Sequence, residues 1–254
     1  MQIQVLGCGG GESSETHLTA LRINERLALD TGSLTRVLSV EEQLSLRSVV
    51  LSHSHIDHTN GLPFFVENVY GVTDAPIDIY AGGATIAAVR NHLFNSTTWP
   101  DFSSLPTVAH PAVRFHELTA GVEVELHGVR LTPILMNHPV PTFGFLIRGE
   151  TGAVLWSSDT GPTARFWEVA NTTPDLKAVC IETSFDNGLQ SLADVSGHLT
   201  PKTLALELEK LDRPVPILLH HLKPPCADRV RAEVRMLGNP DLGYLEQGKT
   251  YVFS

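Results

Sequence analysis

Long apolar runs are missing from this chain. None approaches the ~18 residues that a membrane-spanning helix requires, so no span is expected. The start, Met1-Gln2-Ile3-Gln4-Val5-Leu6-Gly7, lacks the basic flank of a secretory signal, which makes the cytoplasm the expected compartment. Cysteine is scarce as well: Cys8, Cys180 and Cys226 are odd in number, far apart and without metal-ligand spacing, and read as free thiols in a reducing compartment. Positive charge is also short, with 18 Lys and Arg against 28 Asp and Glu, a formal net charge of −10. That balance argues against a long nucleic acid as partner, because a phosphate backbone needs a basic stripe. A small anion stays compatible, since bound divalent ions would add local positive charge that a residue count leaves out. No Pro/Gly/Ser linker, low-complexity tract, charge run or tandem repeat divides the chain, so residues 1–254 read as a single domain.

What the chain does have is an alternation of short β-like runs with helical patterns. The runs fall at 3–7, 19–23, 27–30, 49–53, 77–81, 129–136, 143–148, 153–157, 178–182 and 215–220. The clearest helix covers 201–211, with Thr200 as N-cap, Pro201 at the first helical position, and Leu204, Leu208 and Leu211 along one face. Fainter helical patterns cover 61–70, 84–95, 163–170 and 227–237. Such alternation implies an α/β protein whose sheets are covered by helices.

One stretch carries chemistry on its own. His53-Ser54-His55-Ile56-Asp57-His58 packs three imidazoles and a carboxylate into six residues just after the apolar Val49-Val50-Leu51. Imidazole nitrogen and carboxylate oxygen are ligands that Zn²⁺ and related ions take. A strand ending in a loop can aim His53 and His55 at one ion while Asp57 and His58 turn toward a second. Three further sites repeat the pattern of a polar residue where an apolar strand gives way to a loop: His138, Asp159, and the pair His220-His221. Strand ends gather at one edge of a sheet, so these residues are candidates to complete the same centre.

In this order of residues the chain resembles the metallo-β-lactamase superfamily, whose HxHxDH motif is followed by His, Asp and His. The likeness extends over almost the full length and includes the turn Gly7-Cys8-Gly9-Gly10-Gly11 and the segment Leu29-Asp30-Thr31-Gly32. It implies an αββα sandwich with a dinuclear metal site at one edge of the sheets. It further implies that His53, His55 and His138 hold one ion, that Asp57, His58 and the late His hold the other, that Asp159 bridges them, and that Asp30 supports a ligand. The ions would be zinc first, with manganese or iron permitted by the same ligand types.

A narrower likeness is to class II 3′,5′-cyclic-nucleotide phosphodiesterases. Their late motifs are similar to Ile181-Glu182-Thr183-Ser184-Phe185, to Gly197-His198-Leu199-Thr200-Pro201 leading into a helix with Glu207-Leu208, and to His221-Leu222-Lys223-Pro224. The last selects His221 over His220, since the family His stands directly before the Leu-Lys-Pro. The resemblance implies hydrolysis of cAMP or cGMP to the 5′-monophosphate by a metal-bridging hydroxide, with Asp57 accepting its proton. His198 would bind the phosphoryl group and protonate the leaving oxygen, oriented by Glu182. The expected partner is a small phosphodiester, with no membrane and at most a second copy of the chain in a homodimer. Two alternatives share the fold: a ribonuclease Z-like nuclease and a lactonase- or thioesterase-like esterase. The former carries a tRNA-gripping arm between the third metal His and the bridging Asp, where only 20 residues separate His138 from Asp159. The latter has no evident need for His198.

Overall fold

The computed structural model describes residues 1–73 and 75–253. Fourteen of its strands form two seven-stranded sheets, and Pro106–Thr107 pairs with His110–Pro111 in a separate two-stranded one. The first has the order Thr250–Val252, Gln2–Gly7, Ala20–Ile23, Leu27–Leu29, Ser48–Val50, Ile77–Ala81, Val113–Glu117. The second has the order Leu242–Tyr244, Ile217–His220, Leu176–Glu182, Ala153–Trp156, Phe143–Arg148, Val129–Leu135, Val124–Leu126.

Burial on both faces explains the near-continuous apolar strands seen in the sequence. Successive side chains point to opposite faces, and the central strands use both. Leu29 and Val50 of the first sheet meet Leu131, Phe145, Val154 and Trp156 of the second in a core between the sheets. Val49 and Ile79 point the other way and are covered by Phe65, Val66 and Val69 of the helix Leu62–Val69. On the far side, Leu155, Val179 and Leu219 are covered by Phe166 and Trp167, by Leu204 and by Val230, which lie on three separate helices. The layers are therefore helix, sheet, sheet, helix, as the resemblance implied.

Strand direction decides where the polar residues go. Leu27–Leu29, Ser48–Val50 and Ile77–Ala81 run parallel in the first sheet. Ala153–Trp156, Leu176–Glu182 and Ile217–His220 run parallel in the second. Val129–Leu135 pairs antiparallel with Phe143–Arg148, which pairs antiparallel with Ala153–Trp156, so it runs the same way as that parallel set. Glu182 ends one of these strands, the segments that follow the others carry Asp30, His53, His138, Asp159 and His221, and they emerge together.

Some details differ from the sequence reading. The helix from Pro201 ends at Leu208, after which Lys210 and Leu211 close tighter turns onto the carbonyls of Glu207 and Leu208. Asp57 and His58 lie not in a loop but on the one-turn helix Ile56–Thr59. The edge strands Val113–Glu117, Leu242–Tyr244 and Thr250–Val252 were not expected, because short strands of largely half-buried and exposed residues leave no apolar run to read. Cys8, Cys180 and Cys226 are free thiols. Among the described residues no helix is long and apolar enough to cross a membrane.

Candidate metal centre

The residues of the HxHxDH stretch are placed by the strand Ser48–Val50 and the helical turn after it. Three residues near strand ends, Asp30, Ser158 and His221, adopt left-handed backbone with φ of 56°, 53° and 61°. For non-glycine residues such conformations cost about 1 kcal/mol or more each and persist only where the surroundings impose them. Here they turn the chain sharply off the sheet. At His221 the turn separates two adjacent imidazoles. His220 stays in the strand and stacks on Trp156 with ring centroids 4.0 Å apart, whereas His221 swings out into the cluster.

Two groups of ligand-type atoms result. His53, His55, His138 and Asp159 form one; Asp57, His58, Asp159 and His221 form the other; within each, one atom per residue lies within 4.8 Å of the rest. Asp159 is common to both. Its Oδ2 is 3.6 Å from His53 Nε2, and its Oδ1 is 3.3 Å from His58 Nε2 and 3.2 Å from His221 Nε2. On the other flank, His138 Nε2 is 3.3 Å from His55 Nδ1. His53 Nε2 and Asp159 Oδ1 are buried and find no hydrogen-bond partner among the described residues. Orphaned buried atoms of this kind are costly unless something else satisfies them. Converging imidazole nitrogens around a shared carboxylate suit a pair of divalent ions.

Further polar contacts orient the rings. Asp30 Oδ2 lies 2.8 Å from His58 Nδ1 and accepts from the Ser52 hydroxyl, while Oδ1 accepts from Ser52 N–H. The carbonyl of Gly197 lies 3.0 Å from His138 Nδ1. Contacts of this type set which nitrogen of a ligand imidazole is left free to bind metal.

Charge states differ from ring to ring in the cluster. Burial, with the neighbouring imidazoles, pushes His53 down, and burial likewise lowers His55 and His138, which leaves neutral rings with a lone pair to offer. Burial works against the charge on Asp57 and Asp159, but the imidazoles of His221 and His58 outweigh it and hold both carboxyls below the usual range. Burial also opposes charge on His58, and Asp159 and Asp30 overcome it, raising that ring.

Beside the cluster stands a second pair. Glu182 is fully buried rather than facing solvent, and its Oε1 is 2.7 Å from His198 Nδ1. Burial disfavours a charged His198, yet the Glu182 charge and hydrogen bond raise it overall. The His198 ring lies 5.1 Å from that of His138 and 5.4 Å from that of His221, so it borders both groups.

Lys223 donates from Nζ to the carbonyl of Gly10. Phe102 belongs to the core under the first sheet, with Trp99 packed against it. Gly10 belongs to the glycine turn noted in the sequence, where it was given no role of its own. A Cβ there would lie 2.5 Å from the His221 carbonyl oxygen and 2.7 Å from its Nδ1, so the glycine makes room for the imidazole. The run Gly9-Gly10-Gly11 was the available signal.

Comparison with known proteins agrees with this geometry. The family model of the beta-lactamase superfamily domain matches residues 30–221. The chain belongs to the beta-lactamase superfamily. Its fold is the metallo-β-lactamase fold. A probable 3′,5′-cyclic-nucleotide phosphodiesterase from Yersinia pestis is 29% identical over 206 residues, covering 71% of this chain and 58% of that protein. Ribonuclease Z from Lactobacillus helveticus is 30% identical over 159 residues, covering 58% of this chain and 48% of the relative. The chain thus spans about half the length of these curated relatives. Unliganded yeast PDE1 superposes with a TM-score of 0.82 at 17% identity and 98% coverage of each chain, a likeness of fold.

In this superfamily member, Gly10→Ala is expected to displace His221 and to lower metal content from two ions toward one per chain. Elemental analysis of desalted, metal-loaded protein checks this; two ions retained would show that the glycine is dispensable.

Proposed function

We propose that this chain is a metal-dependent phosphodiesterase that opens 3′,5′-cyclic nucleotides, cAMP or cGMP, to 5′-monophosphates. The observation that carries the reading is the buried Glu182–His198 pair bordering both groups of the His/Asp cluster. An esterase with a good leaving group has little use for such a proton donor, whereas expulsion of a ribose alkoxide needs one. The similarity to the Yersinia pestis protein supports the same substrate class.

His53, His55 and His138 would hold one ion and Asp57, His58 and His221 the other, with Asp159 shared. When bound, such ions, zinc first among the candidates, acidify water and stabilise charge on phosphoryl oxygens. The rest falls to side chains. Asp57 is the partly open carboxylate of the cluster, with its side chain 21% exposed, and would accept the proton of the attacking water. The oxygen of that water bonds to phosphorus as the bond to the 3′ oxygen breaks. Glu182 accepts from Nδ1 of His198, which presents Nε2 as the atom that delivers a proton to the departing 3′ oxygen.

Similarity to ribonuclease Z favours a second reading, tRNA processing. Two observations weigh against it. The net charge is −10, and the interval between His138 and Asp159 is taken up by the antiparallel pair Phe143–Arg148 and Ala153–Trp156, which leaves no inserted arm there.

A panel of cAMP, cGMP, a 2′,3′-cyclic nucleotide and a precursor tRNA, run on one metal-loaded preparation, tests the substrate. Turnover of a 3′,5′-cyclic nucleotide to the 5′-monophosphate is expected; cleavage of precursor tRNA alone would establish the nuclease instead. His198→Ala should keep both metals and lose roughly 10²–10⁴-fold in the chemical step on the cyclic nucleotide. The loss should be smaller on bis(p-nitrophenyl) phosphate, whose leaving group needs little protonation. Equal losses would assign His198 to phosphate binding rather than acid catalysis.

A further inference from the structure

Ser184 has no assigned role in the chemistry above, yet its hydroxyl sits at the junction of the two functional groups. The residue is fully buried. Its Oγ lies 2.9 Å from Glu182 Oε2, 3.0 Å from His221 Nδ1, 3.1 Å from the His221 carbonyl oxygen and 3.2 Å from His198 Nδ1. A hydroxyl has one proton to give and two lone pairs to accept with. Four neighbours therefore cannot all be served in the same way, and the hydrogen positions can be sorted.

Glu182 is the fixed point. Its carboxylate oxygens accept from the backbone N–H of Thr160 at 3.1 Å and of Leu199 at 3.4 Å, and His198 Nδ1 donates to Oε1 at 2.7 Å. Oε2 faces the Ser184 hydroxyl. A carboxylate oxygen is a stronger acceptor than the neutral carbonyl of His221, so the single serine proton goes to Glu182. Ser184 then meets His221 Nδ1 as an acceptor, and that nitrogen must carry hydrogen. Nε2 is left as the lone-pair nitrogen of His221. It is Nε2 that faces the cluster, 3.3 Å from Asp57 Oδ2, 3.2 Å from Asp159 Oδ1 and 3.3 Å from His58 Nε2.

We infer that Ser184 is a positioning residue that fixes the ligand tautomer of His221 and joins it, through Glu182, to the orientation of His198. One carboxylate thereby sets two imidazoles, one for metal binding and one for proton donation. Glu182, His198 and His221 also have candidate ligand atoms within 4.8 Å of one another. The Ser184 hydroxyl stands among them and accepts from His221 Nδ1, while His198 Nδ1 donates to Glu182, so this trio is a hydrogen-bond relay and not a third ion site.

The inference rests on reading His221 as a metal ligand and His198 as the proton donor, and its test does not depend on turnover. Zinc affinity is measured by chelator competition for wild type, Ser184→Ala and Ser184→Thr, with circular dichroism to confirm folding. The Nδ1–H protons of His198 and His221 are followed by NMR in the zinc-loaded proteins. In Ser184→Ala one ion should be held roughly 10–100-fold more weakly, the range typical for loss of a hydrogen bond to a ligand imidazole. The other ion should be unaffected, the His221 Nδ1–H signal should shift or vanish, and Ser184→Thr should recover most of the affinity. Wild-type affinity for both ions in Ser184→Ala, equal weakening of both, or no recovery by the threonine hydroxyl would each overturn the role. Fewer than two ions on the wild type would overturn the ligand reading and this inference with it. Two ions without cyclic-nucleotide turnover would remove the substrate reading alone.

Discussion

Asp159 is almost fully buried, and its two oxygens face different sets of imidazoles, one toward His53 and the other toward His58 and His221. A buried carboxylate in that position is costly unless positive charge meets it. The imidazoles around it answer only in part, because burial keeps His53, His55 and His138 neutral. Two cations, one on each side, would balance the carboxylates and satisfy the orphaned His53 Nε2. The rest of the edge is arranged around that requirement. Asp30 and Ser52 steer His58, the Gly197 carbonyl steers His138, and Gly10 leaves space for His221.

The fold supplies this arrangement by direction rather than by sequence proximity. Parallel strands in both sheets end at the same edge, and residues 30 to 221 meet there although the chain between them builds most of the sandwich. The left-handed turns at Asp30, Ser158 and His221 store some backbone strain at this edge. Helix Pro201–Leu208 adds a tie behind the site. Its buried Glu207 accepts from the backbone N–H of Thr163 and from Trp167 Nε1, which binds the segment after Asp159 to the helix that follows His198.

Much of this was legible in the sequence, for identifiable reasons. The central strands were readable because burial on both faces makes them apolar runs, and His53, His55, Asp57 and His58 because four such side chains seldom fall within six residues. His138 and Asp159 were legible only as polar residues after apolar strands, and His221 needed the Leu-Lys-Pro that follows it. Ser184 was not legible as a functional residue. A serine within Glu-Thr-Ser carries no periodic or compositional mark, and its importance lies in hydrogen-bond geometry between segments 14 and 37 residues distant. The one-turn helix at Ile56–Thr59 is too short to show a helical period.

The central claim is that Asp159 is shared by two ions held by separate sets of side chains. Anomalous diffraction from crystals of the zinc-loaded protein tests it most directly. The account predicts two peaks flanking Asp159, one contacted by His53, His55 and His138 and the other by Asp57, His58 and His221. A single peak, or a peak coordinated by His220 in place of His221, would contradict it.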